Sequence, residues 1–132
     1  MKNELQELLN NAYSPYYKFP VSCIVVMKDG NKFKGVNVEN ANGTSICAER
    51  NAIANAVANG YKRQDFDKIY IMLSSGNFGT PCFACRQVIQ EFMDLDCKVI
   101  SVDKDGNEKE YTVRELCPYP FSEEDLKWKV DS

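Results

Sequence analysis

The sequence contains no histidine among its 132 residues, which removes at once the commonest general base and the commonest metal ligand among side chains. Any metal or proton-transfer chemistry must therefore fall to cysteine thiolates and carboxylates. Positive charge is not in excess either: 16 Lys and Arg stand against 19 Asp and Glu, a formal net charge of -3. The electrostatic attraction that dominates attachment to a phosphate backbone is missing, so no nucleic-acid partner is expected. No apolar run approaches the roughly 20 residues that cross a bilayer, so no membrane partner is expected. The opening Met1-Lys2-Asn3-Glu4 lacks the apolar segment of a secretory leader, and a cytoplasmic location follows as the expectation. Six cysteines are present; in a reducing compartment they serve as metal ligands, nucleophiles or small core residues rather than as a disulfide framework. With 44% hydrophobic residues, residues 1–132 are expected to form a single domain around one core.

Leu5, Leu8, Leu9 and Ala12 recur at helical spacing and predict a helix over Glu4 to Tyr13, ended by Ser14-Pro15. Val21 to Met27 is a β-branched apolar run, Asp29-Gly30-Asn31 a turn, and Lys32 to Val38 a second strand, together a β-hairpin. An alanine-rich helix is predicted over Cys47 to Asn59 with Gly60 as its stop. A short strand over Ile69 to Leu73 leads through a loop with Gly76, Gly79 and Pro81 into a helix over Cys82 to Met93. Strands over Val99 to Val102 and Glu110 to Val113 flank a turn at Asp103 to Asn107, and a last helix over Ser122 to Trp128 starts from an N-cap serine and an acidic first turn. The order α-β-β-α-β-α-β-β-α predicts an α/β protein, a three-layer α-β-α sandwich around a mixed five-stranded sheet.

The chemistry concentrates at two of these helix starts. Cys47 opens Cys47-Ala48-Glu49-Arg50, and Cys82 and Cys85 stand in Pro81-Cys82-Phe83-Ala84-Cys85. Residues three apart share a helix face, and the positive end of a helix favours thiolate over thiol. Zinc accepts such ligands tetrahedrally, and three protein ligands leave the fourth position to water, as in a catalytic site. Three thiolates around one zinc leave a net formal charge of about -1. A guanidinium donating to sulfur would offset it, and Arg50, then Arg86, is placed to do so. Glu49, two residues beyond a ligand, belongs beside the water rather than on the metal. A competing reading makes the zinc structural, closed by a fourth cysteine from Cys23, Cys97 or Cys117. Against it stands the conjunction of Cys-Ala-Glu with Pro-Cys-x-x-Cys some 35 residues on, the zinc-deaminase pattern with cysteine in place of its histidine.

On these motifs, together with Tyr16-Tyr17-Lys18-Phe19-Pro20-Val21, Gly35-Val36-Asn37-Val38-Glu39-Asn40-Ala41 and Pro118-Tyr119-Pro120-Phe121-Ser122, the chain closely resembles the small homotetrameric cytidine deaminases. The resemblance spans nearly the whole sequence. It implies one zinc per subunit on Cys47, Cys82 and Cys85, with Glu49 as the catalytic proton carrier. It implies that Asn37 and Glu39 hold the ribose 3′-hydroxyl, that Phe19 and Ala48 contact the nucleoside, and that Phe121 stacks on the base in a neighbouring subunit's site. The expected reaction is attack of activated water at C4 of cytosine, with Glu49 protonating N3 and then the departing amine. Plainer readings stand beside these: a solvated loop for Asn37 to Asn40, and core positions for Phe19 and Phe121.

The chain departs from the family pattern in three places. The segment between Glu39 and Cys47 is one residue short and carries Asn42-Gly43-Thr44 without the usual tyrosine. Phe83 replaces a glycine between the ligand cysteines, and Ser22-Cys23 replaces a Gly-Ala pair. The last two are expected to bear on the room around the bound ring. Blasticidin-type deaminases share the zinc motifs but match Glu39 and Arg50 less well, and rank second.

Overall fold

The apolar run Val21–Met27 becomes β1, the strand on which the rest of the sheet is assembled. The structure, a computed structural model, describes residues 1–129, so the last three residues of the expected 1–132 domain lie outside it. β1 pairs antiparallel with β2 (Lys32–Val36) on one side and with β3 (Phe66–Leu73) on the other. β3 pairs parallel with β4 (Lys98–Val102), and β4 antiparallel with β5 (Glu108–Thr112), giving the mixed five-stranded order β2-β1-β3-β4-β5. The single parallel step needs a crossover, and α3 (Phe83–Phe92) supplies it.

Register decides which face each residue serves. Cys23 lies opposite Ile71, Val25 opposite Ile69, and Ile69 opposite Val99. This buried row packs with Ala52, Ile53 and Ala56 of α2 (Ala48–Ala58) and with Ile89 of α3. The alternate residues Ile24, Met72, Ile100 and Val102 pack on the opposite face against Leu5 of α1 (Lys2–Leu8). The expected three layers are thus present. A strand covered on both faces has no polar alternation, which is why β1 reads as an apolar run interrupted only by Ser22.

α2 lies directly on β2. A Cβ at Gly35 would overlap the main-chain carbonyl of Ala48 and the main-chain nitrogen of Ala52, so only glycine permits this approach. Asn51 fixes the contact by donating to the Val36 carbonyl at 2.7 Å.

Several boundaries differ from those predicted. α1 stops at Leu8 and continues as a 3-10 turn over Leu9–Asn11; the two asparagines favour helix poorly, and Tyr13 is claimed by a bridge to Val38. β2 ends at Val36, because Val38 pairs instead with Tyr13 and Ile46. β3 starts at Phe66, its pattern masked by the charged Asp67 and Lys68. β5 is displaced toward Glu108, a charged edge strand of the kind that resists further pairing. Val113 leaves that strand to open α4 (Val113–Leu116), where Thr112 and Glu115 form a reciprocal capping box. The final segment is a 3-10 helix over Glu123–Lys129 rather than an α-helix.

Replacement of Gly35 by alanine should therefore push α2 off the sheet. We expect a loss of about 1–3 kcal/mol, the usual range for overpacking, measured as a lower urea midpoint at unchanged slope.

Candidate active site

α2 and α3 begin on the same kind of residue. Cys47 is the N-cap of α2 and Cys82 the N-cap of α3, both with extended backbone and neither closing a side-chain cap. Their sulfurs are not spent on capping and sit at the positive ends of two helices. Cys85, one turn into α3, is fully buried. The three Sγ atoms lie within 4.8 Å of one another, and Cys47 and Cys82 are 3.6 Å apart. Sulfurs about 2.3 Å from a tetrahedral zinc are separated by roughly 3.8 Å, so the donor set fits the ion. Among the described residues no fourth ligand joins this cluster. Cys97 points its thiol at the Phe66 carbonyl and Cys117 at the Arg86 carbonyl, while Cys23 is buried in the core under α2.

The surroundings polarise the sulfurs. A hydrogen bond from Cys85 pulls the Cys47 thiol down to about 5; burial opposes the shift, and Arg50 and Cys82 reinforce it. Cys85 moves the other way, held protonated by its bond to Cys47, by burial and by the negative groups around it. Binding a dication must displace that proton. Arg50 Nη2 donates to Cys47 Sγ at 3.6 Å and to the Ser45 carbonyl at 3.4 Å. Its Nε is buried without a partner. Glu49 is buried one step along the same helix turn. Burial, helped by the Cys47 charge, raises its carboxyl to about 7 against the downward pull of its own main-chain N–H and Arg50.

A cavity of about 400 Å³ opens over these groups, with Cys47, Cys82, Ala48 and Glu49 on its lining. Phe19, Asn37 and Glu39 line it too, as do Tyr17, Thr80 and the Ser45-Ile46 end of the shortened loop. That loop holds its own shape, since Asn40 Oδ1 accepts from the main-chain N–H groups of Asn42 and Thr44. No lysine or arginine is among the lining residues. Asn37 is committed to the main chain on both ends of its amide: it accepts from Val21 N–H at 2.8 Å and donates to the Phe19 carbonyl at 2.9 Å. Glu39 is buried and accepts three hydrogen bonds, from the Ser14 hydroxyl and the Tyr16 and Tyr17 main chain. Burial alone would raise its carboxyl, but these donors outweigh it and hold the group below the usual carboxylate value.

Other expected residues lie elsewhere. Phe121 does not line the cavity of its own chain; the residue is 59% exposed and its carbonyl accepts from Gln87 at 2.7 Å. Arg86 donates to the Pro81 and Leu116 carbonyls and to Thr80 Oγ1, rather than to a sulfur as the sequence suggested, so it clasps the turn leading into Cys82. The expectation that Phe83 and Ser22-Cys23 reshape the cavity is corrected. Phe83 is 78% exposed, with the Arg86 guanidinium 4.4 Å over its ring, and Ser22 donates to the Leu5 carbonyl on the far face of the sheet. Neither lines the cavity, and nor does Cys23. Sequence reasoning missed Ser14, read only as a helix stop, although a serine ahead of Pro15 carries a turn-forming hydroxyl. It also missed Tyr17 and Thr80.

Comparison with known proteins agrees with this geometry. The profile described as Cytidine and deoxycytidylate deaminase zinc-binding region matches residues 1–101. A cytidine deaminase of Halalkalibacterium halodurans is 40% identical over 116 residues, 87% of this chain and 86% of that protein. One of Sporosarcina psychrophila is 36% identical over 129 residues, 97% and 93% of the two chains. The crystal structure of cytidine deaminase from Burkholderia pseudomallei aligns with a TM-score of 0.85 at 33% identity, covering 90% of this chain and 94% of that one. An α/β sheet with three convergent thiols at helix N-termini defines a zinc-binding deaminase fold. With the profile and the relatives covering most of its length, the chain belongs to the cytidine and deoxycytidylate deaminase family.

Purified protein should carry about one zinc per chain, measured by emission spectrometry. Cys82→Ala should lose it, and a chelator should lower the melting temperature of the parent protein but not of the variant, because metal binding and folding are coupled.

Proposed function

We propose that residues 1–132 act as one catalytic domain that hydrolyses cytidine and 2′-deoxycytidine to the uracil nucleosides and ammonia, a step of pyrimidine salvage. The observation that carries this is a buried carboxyl, Glu49, beside three clustered thiols at the base of a cavity sized for a small ligand. Zinc held by Cys47, Cys82 and Cys85 supplies Lewis acidity that ionises water near neutral pH. Glu49 does the proton work. Its carboxylate takes a proton from the water that adds at C4 and passes it to N3, then takes the remaining proton of the added hydroxyl and delivers it to the exocyclic nitrogen as the C4–N4 bond breaks and the C4 carbonyl forms. Ammonia leaves and Glu49 returns to its starting state. A carboxyl held near neutrality by burial suits both directions of transfer. Arg50, on the Cys47 sulfur, offsets the excess negative charge of the trio.

The family description names both nucleoside and nucleotide substrates, and the charge of the cavity favours the nucleoside. Its lining offers Glu39 and Glu49 as charged side chains beside the thiols and no lysine or arginine to meet a phosphate. Glu39 and Asn37 face the sugar, Glu39 accepting the 3′-hydroxyl, while Phe19 and Ala48 contact the nucleoside. Phe121, exposed and away from its own cavity, serves a neighbouring subunit in a homotetramer. The working location is the cytoplasm; among the described residues no helix is long and apolar enough to cross a membrane.

The direct test follows cytidine absorbance with and without a zinc chelator. Glu49→Gln should lower kcat at least about 100-fold, the floor for positioned proton transfer, with zinc content unchanged; near-parental turnover would remove Glu49 from the reaction. In the same assay cytidine 5′-monophosphate should show kcat/KM about 100-fold or more below cytidine, since an unpaired phosphate beside a buried carboxylate is strongly disfavoured.

A further inference from the structure

The carboxylate of Glu39 organises more than the cavity wall it forms. The segment from Tyr13 to Phe19 is wound around it. Tyr16 and Tyr17 donate their main-chain N–H groups to Oε1 at 2.9 and 3.2 Å, and the Ser14 hydroxyl donates to Oε2 at 2.5 Å. Ser14 then accepts, through the same oxygen, the main-chain N–H of Phe19 at 2.9 Å. Its carbonyl receives Lys18 N–H at 3.0 Å, closing a turn in which Lys18 adopts the left-handed region at φ +53. A non-glycine residue stays in that region only when its surroundings over-determine it. One hydroxyl therefore sets two walls at once, the Glu39 carboxylate and the backbone of Phe19.

An ionised carboxylate offers about four acceptor positions. Three are occupied in the structure, which leaves one for a hydroxyl donor entering from the cavity. We infer that Ser14 is a positioning residue for the sugar end of the site: its hydroxyl fixes the rotamer of Glu39 so that the remaining acceptor position meets the sugar hydroxyl, and couples that placement to the Phe19 wall. The inference rests on the nucleoside reading given above. Ser14 lies in the loop before β1, whereas Cys47, Cys82 and Glu49 are carried by α2 and α3. Its loss should therefore weaken sugar binding without disturbing metal or proton transfer.

Ser14→Ala is expected to raise KM for cytidine about 10-fold, the effect of losing one charge-assisted hydrogen bond, with kcat and zinc content within about twofold of the parent. Ser14→Thr keeps the hydroxyl and should restore KM. With 3′-deoxycytidine, which has no 3′-hydroxyl to give Glu39, the KM ratio between Ser14→Ala and parent should be clearly smaller than with cytidine, the remainder reflecting the Phe19 wall alone. If Ser14→Ala does not yield folded protein, Ser14→Cys, similar in size with a weaker donor, is measured in the same way and should show an intermediate KM. An unchanged KM overturns the inference. So does an equal rise for both substrates, or a loss confined to kcat. A parent protein that turns over no cytidine overturns the nucleoside reading and this inference with it, whereas an active parent with an unaffected serine variant overturns this inference alone.

Discussion

Three sulfurs converge within 4.8 Å, and the electrostatics of that meeting govern the rest of the structure. A pair of unit charges about 4 Å apart repels by roughly 1 kcal/mol in water and roughly 4 kcal/mol near a protein surface. Three thiolates in one place are therefore untenable without compensation. The fold meets the demand in layers. Two helix N-termini point at the cluster, their caps occupied by the ligand residues themselves. Arg50 places a guanidinium on Cys47. Cys85 keeps its proton in favour of Cys47, and a bound dication would displace that proton. Every later feature, from the close seat of α2 on Gly35 to the clasp of Arg86 on the turn before Cys82, keeps those two helix starts facing each other.

The same helix that presents Cys47 also presents Glu49, and this economy explains the carboxyl's character. Two residues along an α-helix, Glu49 shares the buried face with Ala52 and Ile53 rather than the solvent face, so it loses hydration and its proton affinity rises. Glu39 shows the opposite outcome from a comparable degree of burial. Three donors converge on it and keep it ionised. The cavity thus holds two carboxyl groups with divergent proton affinities, one suited to carrying protons and the other to accepting a hydroxyl.

Much of this was legible in the residues. The apolar run and β-branching of Val21–Met27, the turn at Asp29-Gly30-Asn31 and the spacing of the motif cysteines all encode local preferences, and the sheet and both motif helices follow from them. The zinc ligand set came from chemistry at fixed spacing, where Cys82 and Cys85 must share a helix face. What escaped was tertiary. No periodicity announces that Ser14 reaches across 25 positions to Glu39, or that Arg86 turns toward the Leu116 carbonyl instead of a sulfur. The Thr112-x-x-Glu115 capping box was readable and overlooked, because Val113 fits a strand as well as the first turn of a helix.

The departures from the family pattern become coherent once the direction of each side chain is known. A large ring replacing glycine between two metal ligands would be damaging if it entered the cavity. Phe83 instead turns outward, exposed and with its face under the Arg86 guanidinium, so the first position of α3 holds a bulky residue outside the cavity. Ser22 meets α1 on the far side of the sheet through the Leu5 carbonyl, so its hydroxyl is satisfied in the core rather than exposed to ligand. The shortened loop preserves its ends, since Val38 and Ile46 still pair across it with reciprocal 2.9 Å hydrogen bonds. That bridge holds Glu39 on one arm and Ser45 to Cys47 on the other. Phe83 and Ser22 thus face away from the thiols and Cys23 is buried in the core under α2, while the two arms that carry cavity residues stay tied by main-chain bonds, which any side chain can make.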